Sequence, residues 1–175
     1  PSPELSNWLA SRSAGWPRQA KLLANALPDS VVDPPSDPTG QVVHNFDRLS
    51  ENGRLTLEVL CLAHQPVPYD LLLTGTGLAH RSLDKSLSEL MEAGYAEEDW
   101  TQTDHFRVAH DLYRELLSKS LPERSSRRLH LAIAAFYERF EHSTERGRHL
   151  LAAGEKEKAY PVLLEEADYA KDLGF

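Results

Sequence analysis

The chain has 175 residues, 41% hydrophobic and 26% charged, which is enough to bury one or two modest cores and excludes a long disordered tail. Its single cysteine, Cys61, excludes an internal disulfide and any multi-cysteine zinc site, and points to a reducing, cytoplasmic setting. The net charge of −8 is uneven: three basic against four acidic side chains over 1–44, four against eleven over 45–104, and twelve against twelve over 105–175. Nothing approaches the roughly 18 consecutive apolar residues that would span a bilayer. The N-terminus, Pro1, opens no secretory signal and is not an initiator methionine, so the chain reads as a segment cut from a longer protein.

Ser2, Pro3 and Glu4 form a helix start, with a capping hydroxyl, a proline in the first turn and an acid beside it, and predict a helix from about Pro3 to Arg12. Gly15-Trp16-Pro17 interrupts it. A second helix from about Pro17 to Ala26 places Ala20, Leu23, Ala24 and Leu27 on one face, so residues 1–27 read as a helical hairpin. Residues 28–43 hold Pro28, Pro34, Pro35 and Pro38 among aspartates and read as a linker.

Residues 44–108 change character. A helix from Ser50 to about His64 carries Leu55, Val59, Leu60 and Leu62, and Pro66 and Pro68 stop it. A short helix from Pro68 to Leu73 runs into the expected loop Thr74-Gly75-Thr76-Gly77. In a third helix, Leu83, Leu87, Leu90 and Met91 recur at helical spacing before Gly94, a natural C-terminal cap. Tyr95–Glu98 and His105–Val108 then read as two short strands joined by the polar turn 99–104. Three helices and a small β-hairpin make the plan of a winged helix. Residues 109–175 are helical again. One face is Ala109, Leu112, Tyr113 and Leu116, a longer one is Leu129, Ile133, Phe136, Tyr137 and Phe140, and two more helices flank Ala153-Gly154-Glu155. That pair resembles one unit of a helical repeat, although one unit establishes no period. The expected fold is therefore mainly α.

No Gly-x-x-x-x-Gly-Lys-Ser/Thr stretch occurs, and Gly75-Thr76-Gly77 lacks both lysine and a preceding strand, so this chain alone builds no phosphate cradle and is not expected to be an enzyme. The eight histidines never form His-x-x-x-His, which argues against a metal site, and no Gly-x-Ser-x-Gly suggests a hydrolase. A winged helix raises the prospect of DNA binding. Its third helix sets Arg81 and Lys85 against Asp84, Glu89 and Glu92, however, and the hairpin adds Glu97, Glu98, Asp99 and Asp104. Such a face repels phosphates, so direct DNA contact is not expected. Arg124, Arg127 and Arg128 cluster at a helix start, where a solvated or ion-paired face is the ordinary reading.

The order of Gly15-Trp16-Pro17 in a helical hairpin, an acidic winged helix, Phe106-Arg107-Val108-Ala109-His110-Asp111-Leu112-Tyr113-Arg114-Glu115, Arg127-Arg128-Leu129-His130 and Gly154-Glu155-Lys156-Glu157-Lys158-Ala159 resembles STAND-class signalling ATPases. These include MalT-like and LuxR-type bacterial regulators. The resemblance covers nearly the whole chain and implies the part that follows the ATPase core: a helical lid (1–27), a winged helix (44–108) and the start of a tetratricopeptide-like sensor (109–175). It implies that Pro17 packs on the adenine of ADP or ATP held by the longer protein. As a bare sequence feature, Pro17 is equally a helix-starting proline. It also implies that His110, in Ala109-His110-Asp111 where the family has Met-His-Asp, contacts the β-phosphate of ADP. The alternative is a histidine satisfied by its neighbouring turn. The implied partners are the upstream core of the same protein and a protein or small-molecule inducer on the repeat, with assembly in the ATP-bound state. The other classes left open are a nucleotide-independent interaction scaffold and a DNA-binding winged helix.

Overall fold

A computed structural model describes residues 3–12, 20, 24, 46, 48–63, 66–109, 111–140 and 144–172. The first helix, α1 (Pro3–Arg12), lies where the sequence places it. Apart from residues 20 and 24, the second expected helix lies outside the described residues, as do the Gly15-Trp16-Pro17 interruption and the linker 28–43.

Helix α2 (Glu51–Leu62) starts at Ser50, whose hydroxyl accepts the Gly53 N–H, and buries Leu57, Val59, Leu60, Cys61 and Leu62. The cap is tied to a distant element, because Glu89 accepts hydrogen bonds from both the Ser50 N–H and the Ser50 hydroxyl. A two-residue strand β1 (Val67–Pro68) follows, then α3 (Tyr69–Thr76), α4 (His80–Glu92), β2 (Ala96–Glu98) and β3 (His105–Val108). The sheet is antiparallel in the order β1-β3-β2, with Val67 opposite Phe106 and Glu97 opposite Arg107. The three helices and the hairpin expected for residues 44–108 are thus present in the expected order, and β1 is an addition. Pro68 has no N–H to donate, and an edge strand is where a sheet tolerates that.

Helix α3 runs three residues past its expected end at Leu73. The Thr74 and Thr76 hydroxyls bond back to the Asp70 and Leu72 carbonyls, Gly75 lets Val59 pack close, and Gly77 closes the helix at φ 69°. In α4, Leu83, Leu87 and Leu90 are buried as their spacing predicts, but Met91 is 40% exposed because it falls on the edge of the apolar stripe. The Tyr95 N–H returns to the Leu90 carbonyl across Gly94 at φ 76°, the glycine stop that the sequence announces.

Helices α5 (Asp111–Ser120), α6 (Glu123–Tyr137), α7 (Thr144–Ala152) and α8 (Lys156–Asp172) complete the chain. The large core does not stop at residue 108. Tyr113 and Leu117 of α5 and Leu129, Ile133 and Phe136 of α6 share it with α2, α3, α4 and the sheet. Phe140, expected on the α6 face, lies beyond the helix end and is half exposed. A second, smaller cluster joins Ala134 of α6 to Leu150 of α7 and Ala159 of α8. At the α7–α8 turn Gly154 adopts φ 80° and the Glu155 N–H reaches back to the Leu150 carbonyl, repeating the device at the end of α4.

Cys61 is 1% exposed, and burial pushes its thiol up to about 12. A thiolate is the reactive form, so Ellman's reagent at neutral pH is expected to leave the native protein unlabelled and to titrate one thiol once denaturant is added. Rapid labelling without denaturant would mean that α2 opens readily.

Candidate functional site

Pro17 and His110, the two residues to which the resemblance assigns nucleotide contacts, lie outside the described residues. What is described on either side of position 110 is well held. The Ala109 N–H donates to the Tyr95 carbonyl at 2.9 Å, and α5 begins at Asp111. The rings of Phe46, Tyr95 and Tyr113 pack with centroids 4.9 to 5.9 Å apart. Burial raises the pKa values of both tyrosines, so they act here as neutral packing groups. Among the described residues no group of histidine, cysteine or carboxylate side chains is arranged to hold a metal ion.

The feature that joins the two parts of the chain is α6. Its Leu129, Ile133 and Phe136 face the large core, while Ala134 faces α7 and α8. Alanine on that face suits close helix approach, and the lack of a side chain at Gly147 serves the same purpose on α7: a Cβ there would stand 2.5 Å from the Leu163 side chain of α8. The N-terminal end of α6 is clamped as well, since Arg127 donates through Nε to the Ala153 carbonyl at 3.1 Å and through Nη2 to Glu155 at 2.7 Å. The ordinary reading of this arginine, an ion-paired surface residue, is the one the structure gives. From the same helix the charge of Arg128 acts on Glu58 of α2, whose pKa burial nevertheless raises.

A histidine pair lies between α6 and α7 that sequence reasoning missed. His130 Nδ1 and His149 Nδ1 are 2.8 Å apart, a separation that requires one nitrogen to carry the shared proton and the other to accept it. His149 is 2% exposed, its Nε2 lies 3.7 Å from Glu145, and the Tyr137 ring stacks on it at 6.3 Å. The only hint in the sequence was the spacing of Glu145 and His149, which puts them one turn apart on a helix.

The turn of the β-hairpin is the second ordered feature. Asp99 is buried and accepts hydrogen bonds from the Thr101 N–H and hydroxyl, Arg107 stands 3.6 Å away, and Arg107 also pairs with Glu97 at 2.7 Å. The Thr101 bonds, and then the arginine, hold the Asp99 carboxyl below its usual 3.8. A depressed carboxylate lends stability that is complete above that usual value and is lost as pH falls through the lowered one. The melting temperature of Asp99→Asn is therefore expected to lie below wild type at neutral pH, with the gap closing below about pH 4; a gap that persists into acid would assign the effect to packing.

Asp84 accepts from the Tyr69 hydroxyl at 2.7 Å and Glu89 is engaged at Ser50, so carboxylates interrupt the Arg81 and Lys85 side of α4. No helix among the described residues is long and apolar enough to cross a membrane.

No family model and no curated protein matches the sequence. Among solved structures, the fold is similar to that of a signal transduction ATPase with numerous domains, a STAND protein with a tetratricopeptide repeat sensor, from Pyrococcus horikoshii. The TM-score is 0.61 at 16% identity, over 91% of this chain and 25% of the other. The fold class is thus that of a mainly helical chain with a small antiparallel sheet, and the chain spans about a quarter of the length of that relative.

Proposed function

We propose that this chain is the regulatory segment of a STAND-class switch, in which a winged helix links the nucleotide state of an upstream ATPase core to a tetratricopeptide-like sensor. The observation that carries the reading is α6, buried on one face in the core of the three-helix and sheet unit and on the other against α7 and α8. A displacement of the α7–α8 pair bears on α6 through the cluster that Ala134 shares with Leu150 and Ala159. It moves α6, and α6 moves the large core.

The fold similarity to a STAND protein supports the reading, as do Tyr160 and Leu164, one turn apart on α8 and exposed as they would be in a repeat awaiting its neighbour. In this scheme Pro17 would pack on the adenine and His110 would hold the β-phosphate of ADP, so that nucleotide binds the closed state more tightly than the open one. An inducer or protein partner on the repeat favours the open state. The chain alone lacks a phosphate-binding loop and would not hydrolyse ATP.

The test is calorimetry of ADP binding to the protein extended upstream through its nucleotide-binding core, with and without His110→Ala. Loss of about tenfold or more in affinity, the scale of a hydrogen bond to a charged group, supports the switch with His110 as its latch. Equal binding by both proteins makes His110 structural. Absence of ADP binding favours the nucleotide-independent scaffold.

A further inference from the structure

We propose that the β-hairpin turn is a docking knob for a second copy of this chain, with Trp100 entering the arginine-lined cleft at the start of α6. Trp100 is 85% exposed, more than any other large apolar side chain among the described residues. It is displayed by an ordered turn. The Asp99 N–H donates to the His105 carbonyl at 2.7 Å, the Asp99 carboxylate holds Thr101, and His105 Nδ1 meets the Thr103 carbonyl at 2.8 Å. A turn whose backbone is already held loses little freedom on binding, and tryptophan and arginine are the residue types most enriched at interface centres.

The charge around the knob specifies its socket. Four carboxylates and one arginine lie between Ala96 and Val108, and Glu98 and Asp104 are exposed beside Trp100. The matching surface is on the same chain: a cleft of about 560 Å³ lined by Arg124, Ser125, Arg127, Arg128 and Leu131. Its volume lies in the range that holds a small organic group. Arg127 is fixed by Ala153 and Glu155, whereas Arg124 and Arg128 form no salt bridge among the described residues, and Arg128 acts on Glu58 only at longer range. Leu131 supplies an apolar wall for the indole, and an arginine over the ring adds cation–π attraction. Knob and socket are different patches, so the contact is head-to-tail and propagates from copy to copy. It needs no nucleotide and stands apart from the switch proposed above.

Sedimentation equilibrium tests it on the 175-residue chain at about 0.05 to 1 mM, the range suited to a small, weak contact, in about 50 and about 500 mM salt. Wild type is expected to associate beyond the dimer at low salt and to dissociate at high salt. Trp100→Ala and the double variant Arg124→Gln/Arg128→Gln, both at exposed positions and checked for native circular dichroism, should each be monomeric. Their equimolar mixture retains one good knob and one good socket and should form one-to-one dimers and nothing larger. A monomeric wild type, association that survives either variant, or a mixture that stays monomeric overturns the proposal.

Discussion

Truncation of Phe136 to alanine is expected to lower the unfolding free energy by about 3–5 kcal/mol, the cost of removing a buried aromatic ring and leaving its space unfilled. Phe136 is 4% exposed, meets Tyr137 edge-on and Phe140 at an angle, and lies 3.9 Å beneath the Arg139 guanidinium. It belongs to the large core although its helix also packs on α7. Urea unfolding followed by circular dichroism measures the loss, with Leu164→Ala as the control. Leu164 is 65% exposed on α8, so its truncation should change stability by no more than about 0.5 kcal/mol. A loss below about 1 kcal/mol for Phe136→Ala would mean that α6 is not anchored to the large core, and the proposed coupling through this helix would lose its basis.

Leu60→Ala should cost about 3 kcal/mol, within the range for a fully buried leucine whose surroundings collapse only in part. Leu60 is 0% exposed in the last turn of α2, the helix that packs on α4, α5, α3 and the sheet. The shape of the transition is as informative as its midpoint. Because one core runs from Phe46 to Phe136, far-UV circular dichroism and tyrosine fluorescence should report a single coincident transition in this variant as in wild type. Two separated transitions would show that the helices after residue 108 hold together without the unit before it.

Much of this architecture was legible in the sequence. The stripe of Leu83, Leu87 and Leu90, the stops at Gly94 and Gly154 and the strand His105–Val108 all follow from local rules, and local rules decide where a pattern is strong and its terminator is a glycine. Strand β1 was hidden because Val67–Pro68 is too short for any alternation and proline argues against a strand; only its partner β3 makes it one. The extension of α3 was hidden because Thr74-Gly75-Thr76 has poor helix propensity, offset by the packing of Val59 on Gly75. The continuity of the core past residue 108 depends on which helix meets which, as does the pairing of His130 with His149, and neither is encoded in the spacing of any one element. Of the candidate site, the acidic hairpin and the ion-paired Arg127 were readable. The roles of Pro17 and His110 rest on resemblance.

The sheet order has a consequence for how the chain folds. β3 is the central strand yet the last to be made, and its pairing of Val67 with Phe106 brings together residues separated by two helices. During synthesis β1 has no partner until residues 105–108 have emerged, so helices α2 to α4 must collapse on local contacts first, with the sheet closing afterwards. Changes that slow the docking of α4 on α2, such as loss of the Glu89 tie to Ser50, would therefore prolong the interval in which Val67 and Phe106 are unpaired and open to aggregation.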